Sequence, residues 1–96
     1  MALFEWDKNK NEANKKKHGV SFEDAVDVFN DENRLQYSQV KNGERRFLTI
    51  GKAFQALISV VYTTRKLTIR IISARRSKKK ERRAYLTNKF SKDDDA

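Results

Sequence analysis

The chain has 96 residues, no cysteine, no proline, a single histidine and a formal net charge of +9. That length suits one small domain that buries only about 60–65% of its unfolded surface, and leaves no room for a second. It excludes a disulfide framework, a thiolate metal cluster and a cysteine nucleophile, and the lone histidine argues against structural zinc.

No apolar run approaches the roughly 20 residues that a membrane span requires, and the opening "MALFEWDKNK" lacks the apolar core of a secretion signal. The expectation is a single domain over residues 1–90 with an acidic tail over 91–96, cytoplasmic, with no membrane partner, metal or cofactor.

In chain order, "ALFEW" reads as a short strand, with Phe4 and Trp6 in the core. "DKNKNEANKKKHG" is a polar helix: Asp7 caps its start, Lys15 to His18 suit its negative end, and Gly19 supplies the left-handed residue that stops it. A second helix starts at the capping box of Ser21 and Asp24 and aligns Phe22, Ala25, Val26 and Phe29 on one face.

From "RLQYSQV" the period changes to two, and Asn42-Gly43 marks a hairpin. "ERRFLTI", "ALISVVYTT" and "LTIRIISAR" follow as strands, with turns near Gly51 and at Arg65-Lys66; the nearly all-apolar middle strand belongs at the centre. "SKKKERRAYLTNK", with Ser77 as N-cap, is a C-terminal helix. The fold class is α+β: a short N-terminal strand, two helices, an antiparallel meander of three to four strands, and a C-terminal helix.

The charge is distributed unevenly. Residues 1–64 hold ten basic and nine acidic side chains, residues 65–92 twelve basic and one acidic, and the tail three acids. A block with a surplus of eleven cations points to a polyanion, nucleic acid before an anionic membrane surface. A solvated basic face is the plainer reading.

Within the block, alternation places Leu67, Ile69, Ile71, Ser73 and Arg75 on one side of the last strand and Thr68, Arg70, Ile72 and Ala74 on the other. Arg65 lies at the opposite end of that strand from Arg75. On the helix, Ser77, Glu81 and Tyr85 are spaced by four and share a face.

A carboxylate beside a phenol, with arginines close by, suits phosphodiester cleavage in RNA: one group takes the 2′-hydroxyl proton, cations stabilise the phosphorane, and another group protonates the departing 5′-oxygen. The same spacing also suits helix salt bridges for Glu81 and simple packing for Tyr85. His18 has the right unperturbed pKa for proton transfer, and equally suits a helix C-terminus for its dipole alone. Lys8, Arg70, Arg76, Lys79 and Arg82 are candidate phosphate contacts.

The segments "FEWDKNKNEANKKKHGVSFEDAVDVFND", "GERRFLTIG" and "VVYTTRKLTIRIISARRSKKKERRAYL" together resemble the BrnT family of type II toxin-antitoxin toxins over roughly residues 3 to 87. The resemblance implies a RelE-like fold, RNA cleavage that stops translation, and a cognate antitoxin with a ribbon-helix-helix DNA-binding domain. It further implies a complex of two copies of each protein that represses its own operon, touching operator DNA through the antitoxin. The polar positions matching the pattern are Lys8, His18, Arg65, Arg75, Glu81 and Tyr85; after Tyr85, Leu86 stands where relatives commonly carry an acid.

Three functions are therefore open to the chain: a metal-independent endoribonuclease first, a non-catalytic module binding nucleic acid or the ribosome second, and last, since no helix-turn-helix is evident, a repressor component whose basic block touches DNA directly.

Overall fold

The computed structural model describes residues 3–94, ordered β1 (Leu3–Glu5), α1 (Lys8–His18), α2 (Phe22–Ala25), a 3₁₀ turn (Val26–Asn30), β2 (Leu35–Lys41), β3 (Glu44–Ala53), β4 (Ala56–Arg65), β5 (Thr68–Arg76) and α3 (Lys79–Asp94). The strands form one mixed sheet in the order β1-β5-β4-β3-β2, with β1 parallel to β5 and the rest antiparallel. This is the expected α+β arrangement, with the meander at its full four strands. The last residues of the expected acidic tail, 95–96, lie outside the described residues.

The local signals act as their chemistry dictates. The Asp7 carboxylate accepts from the N–H groups of Asn9 and Lys10, Gly19 closes α1 at φ 70°, and Ser21 accepts from the Asp24 N–H. Asn42 and Gly43 both adopt positive φ in the β2–β3 turn. The second helix tightens to 3₁₀ geometry at Val26, so Val28 rather than Val26 becomes fully buried beside Phe22 and Ala25.

One face of the sheet carries α1, α2 and the main core. Val60, Ile71 and Ala74 lie beneath Phe22, Ala25 and Val28, while Phe4 and Trp6 pack at the margin against Phe29 and Phe22. α1 has almost no apolar stripe and docks through two buried asparagines instead. Asn11 accepts from the Phe22 N–H and donates to Glu23; Asn14 donates to the carbonyls of Val20 and Ala74 and accepts from the Ala74 N–H. Asn14 thus gives β5 the backbone-like partner that β1, paired only to residues 68–70, no longer supplies.

Two expectations are corrected. Gly51 is not at a turn but inside β3, because the chain passes so closely under the 3₁₀ turn that an added Cβ would meet Val28 Cγ1 at 2.8 Å and the Val28 carbonyl at 3.2 Å; the turn falls at Phe54-Gln55.

The alternation along β5 also fails midway. Val61 pairs with Ser73 but Tyr62 with Ile71, so Ile72 is an extra, unpaired residue. This bulge puts Ala74 on the core face with Ile71 and turns Arg75 to the opposite face, where α3 lies.

Gly51→Ala is expected to lower stability by about 1–3 kcal/mol, through overpacking against the Val28 side chain and carbonyl and the Arg34 Cβ. Asn14→Ala should cost at least as much, because it strands buried backbone groups at both Val20 and Ala74. Denaturant titration with an unchanged m-value checks both.

Candidate active site

Ser59, in the middle of the most apolar strand, pairs with Arg75 across β4 and β5, so both face α3. The first turn of α3 then delivers Glu81 onto them. Arg75 donates to Glu81 through both terminal nitrogens, Nη1 to Oε1 at 2.7 Å and Nη2 to Oε2 at 2.9 Å. Oε1 also accepts from the Lys78 N–H at 2.7 Å and the Ser59 hydroxyl at 3.1 Å, while Ser59 and the buried Ser77 share a hydrogen bond of 2.7 Å.

The Lys78 contact corrects the expected cap: Glu81 reaches back to the helix start, and the Ser77 hydroxyl serves Ser59 instead. These donors, Arg75 first, hold the Glu81 carboxyl well below its ordinary range, at about 2, against the opposing effect of burial. In return Glu81 raises the pKa of the Arg75 guanidinium.

Tyr85 follows one turn later on the same face, with its ring buried and its hydroxyl donating to Asp31 Oδ2 at 2.6 Å. Asp31 Oδ2 also accepts from the Lys52 N–H, past the end of β2. Burial and then the Asp31 carboxylate push the phenol up to about 12. Glu81 and Tyr85 thus point the same way, as their spacing predicts, but to different partners.

The other candidates are dispersed. Arg65, exposed at the far end of β4, is six residues from Ser59, about 20 Å along the strand. Lys8 and His18 mark opposite ends of α1, about 15 Å apart. Arg70 pairs with Glu5 at 3.7 Å. Arg76 lies opposite Ile58, on the core face, and is exposed there; Lys79 is exposed in the first turn of α3, and Arg82 donates to the Ser77 carbonyl.

Sequence reasoning missed Ser59, Ser77 as a side-chain partner, and Asp31. A lone serine in "ALISVV" is a signal for the first; nothing local marks Asp31. Among the described residues no three His, Cys, Asp or Glu side chains converge in a metal-binding group, and no helix is long and apolar enough to cross a membrane.

Residues 6–81 match the family model described as the ribonuclease toxin, BrnT, of type II toxin-antitoxin systems. The chain belongs to that family. A search of curated proteins gives no match. The matched span includes Ser59, Arg75 and Glu81, and ends before Tyr85, so the ion-pair site lies wholly within the BrnT region whereas the phenol lies beyond it.

The depressed carboxyl sets a pH dependence. Since the Glu81 pKa is lower in the folded chain than its ordinary 4.5, the pair's stabilisation is complete above about 4.5 and is lost as pH falls towards 2. The melting temperature of the parent should therefore drop over that interval more steeply than that of Glu81→Gln, as followed by circular dichroism.

Proposed function

We propose that this BrnT toxin is an endoribonuclease that cleaves RNA without a metal ion and thereby stops translation. The observation that carries this reading is the Arg75–Glu81 pair, held at the sheet surface by Ser59 and the start of α3, inside a segment with a surplus of eleven cations.

An incoming phosphate competes with Glu81 for the Arg75 fork, since guanidinium binds both groups in the same bidentate way. Once Arg75 turns to the phosphate, the chief cause of the low Glu81 pKa is gone and the carboxylate regains basicity. Glu81 then takes the 2′-hydroxyl proton as the 2′-oxygen attacks phosphorus. Arg75 stabilises the added negative charge. The P–O5′ bond breaks and O5′ takes a proton from water while Glu81 returns its own to solvent, leaving a 2′,3′-cyclic phosphate and a 5′-hydroxyl.

Tyr85, with its proton held by Asp31, positions α3 in this reading. Lys8, Arg70, Arg76, Lys79 and Arg82 are assigned to phosphates away from the cleaved bond, while the other catalytic candidates, Arg65 at the far end of β4 and His18 on the helix covering the opposite sheet face, take no step in this reading. The reading extends to a partner: a ribbon-helix-helix antitoxin that neutralises the toxin in a 2:2 complex and regulates the shared operon, for which the support is membership of a type II toxin-antitoxin family.

The competing reading, a binder that breaks no bond, draws support from the same low Glu81 pKa, which makes the resting carboxylate a weak base.

Cleavage in EDTA, with cyclic-phosphate ends, is the expected result; activity that vanishes on chelation and returns with Mg²⁺ contradicts it. Arg75→Ala should lose about 10²–10³ in rate and Glu81→Gln about 10²–10⁴, with RNA affinity changing far less. RNA lacking 2′-hydroxyls should be bound but left intact; equal, inconsequential binding of both forms by the parent favours the binder.

A further inference from the structure

The two-residue turn Phe54-Gln55 closes β3 onto β4 between the paired Ala53 and Ala56. Its first position has φ 58°, a conformation that glycine, asparagine and aspartate tolerate and an aromatic residue resists. The strain secures no burial, because Phe54 is 69% exposed. Local folding therefore gives no reason for an exposed phenyl ring here; Lys66 takes the same backbone conformation at φ 54° in the β4–β5 turn, so what sets Phe54 apart is the cavity beside its ring.

Beside the ring lies a cavity of about 290 Å³ whose apolar floor includes Val20, Ala53 and Ile58 and whose polar rim is Asp24, Gln55 and Arg76. A neighbouring cavity shares Gln55, Ala56 and Arg76 and continues to Ser77 and Arg82, at the start of α3. The trough thus runs from Phe54 to the helix that carries Glu81, and Gln55 of the turn stands four residues, about 13 Å, along β4 from Ser59. It combines what a single splayed base requires: an aromatic face, a small apolar recess, a cation for the adjoining phosphate, and both donors and acceptors at the edge.

We propose that this recess is a nucleobase subsite, in which one unstacked base of the RNA lies against Phe54 while Arg76 meets its phosphate. The inference rests on the ribonuclease reading and adds to it a place where the substrate is gripped beside the cleaved bond. Arg76 for a phosphate together with Asp24 and Gln55 for a base edge, around a recess of single-base size, favour a base over a protein contact.

The test uses the full chain and a short RNA with 2-aminopurine at successive positions and 2′-deoxyribose at the cleaved nucleotide, so that binding is read without turnover. One labelled position should be quenched on binding. Phe54→Ala and Phe54→Gly should abolish that quenching and weaken binding about 5- to 150-fold, and Phe54→Trp should restore both. Phe54→Gly also relieves the strained φ, so its melting temperature should equal or exceed the parent's, which separates a lost contact from a lost fold.

If the parent binds and cleaves RNA while both small variants do so equally well, the subsite is wrong and the ribonuclease reading stands. If these variants lose affinity only for the antitoxin, the turn is a protein contact and the proposal falls. A parent that neither binds nor cleaves RNA overturns both.

Discussion

The site depends on one extra residue in β5. Without the bulge at Ile72, strict alternation would put Arg75 on the same face as Ile71, beneath the first two helices, where a guanidinium has no acceptor and would have to be desolvated alone. With it, the core retains Ala74 and the arginine emerges opposite Ser59. The bulge interrupts the ladder where β5 has already lost β1 as a neighbour, and the Asn14 amide fills that gap from the side. A helix with almost no apolar stripe is therefore fixed to the sheet at the place where its amide is needed.

The electrostatics follow from that placement. A carboxylate that accepts a bidentate guanidinium, a backbone N–H and a hydroxyl is satisfied on nearly every lone pair, so it remains ionised far below neutrality. The pair is nevertheless only partly buried. It is held firmly enough to orient Arg75 and openly enough for another anion to reach it. Because Glu81 is the single acid among twelve cations in residues 65–92, a phosphate that displaces it meets a segment whose other charges are all positive.

Much of this was legible in the chain. Short-range chemistry announces itself: Asp7, Gly19, Ser21 and Asn42-Gly43 each act within four residues, and the spacing of four between Glu81 and Tyr85 survives because α3 is regular. What escaped depends on distant neighbours. A bulge leaves the composition of a strand unchanged while inverting every later side chain. Gly51 resembles a turn glycine until the 3₁₀ turn is laid over it. Asn11 and Asn14 carry no mark of burial in the sequence, because a polar helix gives no periodic sign of the face it buries. Asp31 is one of two adjacent acids in "NDEN", and α3, 54 residues later, gives it a phenol to hold.

The spacing of the contacts along the chain carries a consequence for how the molecule opens. Arg75 and Glu81 are six residues apart and Ser59 and Glu81 twenty-two, whereas the Asn14 and Asp31 contacts that brace the same region span 60 and 54. Loop closure costs less for shorter spans, although only by about 0.6 kcal/mol per doubling, so the main difference lies in autonomy. The hairpin of β4 and β5 with the first turn of α3 contains the whole ion-pair site in one contiguous stretch. The N-terminal strand and first helix brace it from outside. Fraying at the N-terminus accordingly loosens the frame of the site while its charged centre remains assembled.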